Sequence, residues 1–135
     1  MRRRLLALLG RLPRAVRFGV VGLGGVLTNS GCLVLLHGGL HLPLALASAL
    51  AAEIAIVHNF LWNNRWTFQA GRPTFRRLMR FNLVSLAGLG VNVALVNGLV
   101  HWLAWHYLLA NLVAIGLVAA VNFALSSAWT WADVR

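Results

Sequence analysis

Two stretches of this chain, residues 18–52 and 81–132, contain no Arg, Lys, Asp or Glu. Charge-free runs of that length are hard to reconcile with a soluble surface. A hydrocarbon core about 30 Å thick is crossed by ~20 apolar helical residues. Each half of the chain therefore holds two crossings, split by a short break. The first break is His37-Gly38-Gly39-Leu40-His41-Leu42-Pro43, where glycine loosens a helix and Pro43 suits the first turn of the next. The second is Trp102-Leu103-Ala104-Trp105-His106-Tyr107, which has the composition of an interfacial aromatic belt. The expected spans are 18–37, 43–62, 81–101 and 107–128. All four are expected to be helices, because backbone exposed to lipid must satisfy its own hydrogen bonds. With 60% hydrophobic residues and a mean hydropathy of +0.78, the 135-residue chain has too little polar surface for a soluble domain.

The chain also repeats itself. A shift of 63 positions places Arg17-Phe18 on Arg80-Phe81, Asn29 on Asn92, Asn59-Phe60 on Asn122-Phe123, and Trp66-Thr67 on Trp129-Thr130. Residues 17–68 and 80–131 align without a gap, and 15 of the 52 pairs are identical. Two spans per repeat bring each unit back to the side it entered from. The expected fold class is an all-α membrane protein of four transmembrane helices, built as two parallel-repeat hairpins about a pseudo-two-fold axis along the membrane normal. A cytoplasmic linker, 69–79, joins the repeats within one transmembrane domain, 17–131.

All twelve basic residues are arginine, and the formal net charge is +10. Six precede the first span, five lie in or beside the central linker, and the last is Arg135. The two opposite hairpin bends carry none. This bias puts both termini in the cytoplasm of a multi-pass protein of the inner (plasma) membrane. The arginines flank spans and form no single basic face, which argues against nucleic acid as a partner. The N-terminus begins like a signal peptide, with Arg2-Arg3-Arg4, but its apolar run is short and Arg11 interrupts it. Residues 1–16 read better as an amphipathic helix on the inner leaflet, with Leu5, Leu8, Leu9 and Leu12 set against Arg4, Arg11 and Arg14. Cys32 is the sole cysteine and reads as a small buried hydrophobe.

Polar residues inside the spans form two layers. Glu53 is the only acid there, at a cost of about 2.5–3.5 kcal/mol in mid-bilayer. Arg17 to Asn29, Glu53 to Arg65 and Arg80 to Asn92 are each twelve positions, about 18 Å at 1.5 Å per residue. Glu53, Asn29 and Asn92 thus share one depth and form a candidate polar cluster. The repeat equivalent of Glu53 is Gly116, so the cluster is asymmetric. The plain alternative for the asparagines is interhelical glue. Nearer the arginine-rich side, Arg65, Asn59, Asn122 and Asn63 form a candidate lipid-phosphate site, in which guanidinium forks around phosphate oxygens and amides donate to them. Trp62, Trp66, Phe68, Trp129 and Trp131 mark the same interface and read as anchors. The histidines near the opposite ends show no metal-ligand pattern. No carboxylate pair, phosphate loop or nucleophile triad is present, so the chain is expected to be neither an enzyme nor a cofactor or metal protein.

The residues Arg17-Phe18-Gly19-Val20-Val21-Gly22 and the box Asn59-Phe60-Leu61-Trp62-Asn63-Asn64-Arg65-Trp66-Thr67-Phe68 resemble the GtrA-like family. Arg80-Phe81 and the weaker ending Asn122-Phe123…Trp129-Thr130-Trp131 are similar to it too. Ala52-Glu53-Ile54 looks most like GtrA-like domains fused behind polyprenyl-phosphate mannosyltransferase domains. These 135 residues include no such catalytic domain, so the chain is expected to stand alone. The second repeat departs from the box, with Ser126, Ser127 and Ala128 in place of Asn63-Asn64-Arg65. The resemblance implies a role in cell-surface polysaccharide synthesis, with sugars carried on undecaprenyl or related polyprenyl phosphates. One implied role is a flippase that binds and moves the lipid-linked sugar. The other is a non-transporting anchor that recruits a membrane-associated glycosyltransferase. Membrane lipids are implied partners in both, and a homodimer would help enclose a sugar path. A small proton-coupled multidrug transporter is a third reading. It is opposed by the extreme charge bias and by a glutamate in the second span where such transporters carry it in the first.

Overall fold

The structure, a computed structural model, describes residues 10–134. The expected amphipathic segment falls mostly on residues 1–9, outside the described residues, as does Arg135. The chain divides at Arg72/Pro73 into two compact units, each a helical hairpin. In the first, α1 (Arg14–Leu33) continues through a π turn, Val34–Gly39. α2 (Leu44–Trp62) continues through a second π turn, Asn63–Thr67. In the second hairpin, α3 (Phe75–Leu103) is followed by α4 (Tyr107–Leu125) and a π turn, Ser126–Thr130. Counted through their π turns, all four helices are long and apolar enough to cross a membrane.

The bends form where glycine, proline and aromatic residues predict them. His41 takes a left-handed conformation (φ 56°), His37 Nδ1 donates to the Leu42 carbonyl at 2.8 Å, and Pro43 starts α2. In the second hairpin, Ala104 (φ 53°) ends α3, and His106 Nδ1 accepts from the Leu108 amide to start α4. The boundaries differ from hydropathy on the arginine-rich side. α3 starts at Phe75, six residues before the expected span, because Thr74 caps it by accepting from the Arg77 amide. Helical structure there runs through Arg76, Arg77 and Arg80, whose charges exclude them from an apolar window without breaking a helix. The second and fourth helical segments run on to Thr67 and Thr130 through their π turns, past the expected ends at 62 and 128.

Each hairpin closes on one narrow seam. On α1 the buried residues are Arg17, Phe18, Val21 and Gly25, and on α2 they are Ala47, Ala51, Ala55 and Phe60. On α3 they are Phe81, Val84 and Gly88, and on α4 Ala110 and Ala114. Every buried residue of α3 and α4 is the 63-position equivalent of one on α1 or α2. Alanines four apart make one flat stripe on which a partner helix lies close. At the tightest point the side chain of Asn59 lies over Gly25, and that of Asn122 over Gly88. A Cβ built on Gly25 would sit 2.6 Å from Asn59 Cγ, and one on Gly88 would sit 2.6 Å from Asn122 Nδ2. Glycine is required here because the short amide opposite has nowhere to go.

Gly25→Ala and Gly88→Ala should each lower thermal stability in detergent by an overpacking cost of about 1–3 kcal/mol. Gly19→Ala and Gly31→Ala, where a new Cβ meets nothing within 4 Å, should be neutral or stabilising by up to ~1 kcal/mol of helix propensity. Thermal melts of the four variants check this directly.

Candidate functional site

The arginine-bearing ends of the hairpins are built by one device used twice. A helix terminus leaves carbonyl oxygens without intrahelical partners. In the first hairpin, Arg17 at the start of α1 donates from Nη1 to the Trp66 carbonyl at 3.1 Å. It also donates from Nε to the Leu12 carbonyl at 2.9 Å and from Nη2 to the Gly10 carbonyl. Its guanidinium lies 5.9 Å from the Trp66 ring centre. In the second hairpin, Arg80 donates to the Trp129 carbonyl at 3.0 Å and lies 5.3 Å from the Trp129 ring. Beside each clamp an aromatic pair meets edge to face, Phe18 with Phe68 at 6.4 Å and Phe81 with Trp131 at 5.4 Å. Arg17 is buried, so it serves structure and not only topology. The sequence carries a signal for this: both Arg–Trp pairs are 49 residues apart, and all four residues coincide under the repeat.

The Asn-rich box divides by direction. Asn63 is buried, and its Oδ1 accepts from Thr67 Oγ1 at 2.7 Å, bracing the π turn. Asn64 is buried and donates to the Gly71 carbonyl at 2.9 Å, tying down the chain where Gly71 needs a positive φ of 70°. Asn59 seats against Gly25, with its Oδ1 buried and unpartnered among the described residues. Of Asn63, Asn64 and Arg65, only Arg65 is exposed, and it makes no hydrogen bond among the described residues. In the second hairpin Asn122 repeats the seat of Asn59. Ser126, which stands where Asn63 does, leaves both its own hydroxyl and that of Thr130 buried without a partner among the described residues.

Glu53 is exposed on α2, two positions from both Ala51 and Ala55 and thus off the seam. Asn29 on α1 and Asn92 on α3 are half-buried. Within the first hairpin, Arg65 stands at one end of an open groove of about 700 Å³ between α1 and α2. Val20, Val21 and Gly24 line it from α1, and His58, Trp62 and Arg65 from α2. His58 and Gly24 were not among the candidate residues. In the sequence His58 only neighbours Asn59, and the fold adds that Gly24 lies opposite it.

Residues 17–131 match the model of the GtrA/DPMS transmembrane domain. The chain belongs to that family. It is 40% identical over 135 residues to a dolichol-phosphate mannosyltransferase of Pyrococcus furiosus, covering 96% of this chain and 37% of that protein. It thus spans little more than a third of that relative's length. It is 26% identical over 131 residues to the uncharacterized membrane protein YngA of Bacillus subtilis, covering 96% of this chain and 87% of YngA. Membership of the family fits a multi-pass protein of glycoconjugate synthesis.

At the C-terminal end of the second hairpin, Arg77 Nη2 meets Asp133 Oδ2 at 2.5 Å. The hydrogen bond from Arg77 holds the Asp133 carboxyl below its ordinary range. A depressed carboxylate stabilises the folded arrangement above its unfolded pKa and loses that contribution as pH falls through its folded pKa. Acidification below the usual Asp range should therefore release the tail, read as faster amide exchange around Trp131. Asp133→Asn should abolish that pH response.

Arg17→Ala removes charge-assisted bonds of about 1.5–3 kcal/mol each in such settings. It should cost at least ~2 kcal/mol in detergent melts, and Arg17→Lys, without the planar fork, should recover only a minor part. Arg80→Ala should cost less, because Arg80 is only half-buried.

Proposed function

We propose that this chain binds polyprenyl-phosphate-linked sugars in the inner (plasma) membrane and helps translocate them, with both termini in the cytoplasm. The observation that carries the proposal is the direction of Arg65. The box asparagines 63 and 64 are spent on their own hairpin, while the guanidinium between them and Trp66 is left outward at the helix end. A guanidinium at headgroup depth is suited to a phosphate diester. Arg65 is the principal phosphate ligand in this proposal. Asn59 seats α2 against α1, Asn63 braces the turn from which Arg65 projects, and Asn122 makes the matching seat in the second hairpin. Glu53, exposed off the seam, lies where a sugar passing along α2 would meet a hydrogen-bond acceptor.

The alternative is a non-transporting anchor that recruits a glycosyltransferase. It is favoured by the Pyrococcus relative, in which the matching region is part of a longer protein named as a mannosyltransferase. In both versions the chain itself performs no chemistry.

Transport is tested by reconstituting the protein in liposomes with a fluorescent polyprenyl-phosphate sugar. Arg65→Ala should cut the transbilayer rate by about tenfold, in line with ~1.4 kcal/mol for a lost phosphate contact. Equal rates for wild type and for Arg65→Ala with Glu53→Gln would sink the transport version. Loss of glycosyltransferase from membranes lacking the protein, with Glu53→Gln silent, would support the anchor.

A further inference from the structure

His58, Trp62 and Arg65 stand at i, i+4 and i+7 on α2 and its π turn, so they share one face. That face meets Val20, Val21 and Gly24 of α1 across the groove of about 700 Å³, a size common among small-molecule sites. The walls are mostly hydrocarbon. Two polar groups interrupt them. One is His58, whose Nδ1 is buried with no partner among the described residues. The other is Arg65, exposed where the helix ends. No acidic side chain among the described residues lines the groove.

We propose that this groove is a binding site for a phosphorylated lipid of a single hydrocarbon chain. The phosphate sits between His58 and Arg65 against Trp62, and the chain runs along Val20, Val21 and Gly24 into the bilayer. In naming the lipid a polyprenyl phosphate, the proposal rests on the function proposed above. The phosphate head and the route for its chain follow from three observations, and the single chain follows from the function proposed above. The groove belongs to two membrane-spanning helices, so lipid has direct access to it. Its charge is positive and unopposed, which selects an anionic head. His58 and Arg65 are seven residues apart, about 10 Å along the axis, and side chains lean toward the helix N-terminus, so Arg65 reaches back toward His58. A phosphate fills the interval that remains.

The repeat sharpens the assignment. At the equivalent places the second half carries Ala87, Val121, Leu125 and Ala128 in place of Gly24, His58, Trp62 and Arg65. The imidazole, the indole and the guanidinium are all absent there. Each chain therefore offers one such site, on the first hairpin. Gly24 keeps it open: a Cβ there would lie 3.4 Å from His58 Cε1, an ordinary contact, so alanine fits, whereas leucine would reach across the groove.

The test uses the full chain in phosphatidylcholine nanodiscs with a photoactivatable farnesyl phosphate, and labelled peptides are mapped by mass spectrometry. The expected result is saturable labelling near residues 20–24 and 58–66, one lipid per chain. Geranylgeranyl phosphate should compete, and geranylgeraniol and dioleoyl phosphatidic acid should not. Gly24→Leu, His58→Val and Arg65→Ala should each weaken labelling at least tenfold, and Gly24→Ala should keep it within about threefold. His58→Val and Arg65→Ala install the residues that the second repeat carries, so the hairpin is expected to fold and they decide the outcome should Gly24→Leu unfold it. Labelling that these variants leave unchanged, or that the alcohol or the phosphatidic acid competes for equally, overturns the site. Groove labelling without transbilayer movement would sink transport and leave the groove standing. Transport that survives Gly24→Leu, with no label in the groove, would sink the groove and leave transport standing.

Discussion

Apolar side chains gain little by leaving lipid for one another, so a hairpin of this composition has no hydrophobic drive to close. It closes where two backbones come near enough for dense van der Waals contact. Gly25 under Asn59, and Gly88 under Asn122, are those places. The alanine stripes at 47, 51 and 55 and at 110 and 114 extend the approach along each seam. The arginine clamps then finish the hairpin ends, where a helix terminus would otherwise present bare carbonyls to the interface. Close approach and carbonyl capping recur at positions 63 apart, so the duplication preserved contacts as well as composition.

The halves part company on one face. Both keep the glycine–asparagine seat, the clamp and the edge-to-face aromatic pair. Only the first keeps a polar lining beside Gly24, and only the first braces its π turn with an amide–hydroxyl bond. In the second, Ser126 and Thr130 hold buried hydroxyls without a partner among the described residues. A duplicated frame whose two copies keep the same closing contacts, with a polar groove in the first alone, is the simplest account of that pattern.

Much of this was legible in the sequence, for definite reasons. Charge-free runs of span length and a gapless repeat leave four helices as the economical solution. The bends were visible because glycine, proline and interfacial aromatics punctuate them. The start of α3 was not, since arginines at 76, 77 and 80 sit in helix while hydropathy counts only their charge. Within the box, Asn63 and Arg65 both read as phosphate ligands on paper, with Asn64 between them. Their directions depend on a π turn that no propensity scale marks, and it turns two inward and one outward. His58 was missed because what distinguishes it is a glycine 34 positions earlier.

The π turns have a consequence for how this chain can change. The two at the arginine-bearing ends close through i→i+5 bonds, from the Phe68 amide to the Asn63 carbonyl and from the Trp131 amide to the Ser126 carbonyl, both at 2.9 Å. A π turn amounts to one extra residue wound into an α-helix, which sets back the phase of everything beyond it by about 100°. Phe68 and Trp131 reach their aromatic partners, and the Trp66 and Trp129 carbonyls reach their arginines, because of that offset. An insertion or deletion within α2 or α4 would turn the clamp's target away from its arginine. The two copies can drift in side chains, as Trp62 against Leu125 shows, but the second helix of each is held in phase with its clamp. The gapless alignment of the repeats is the trace of that mechanical lock.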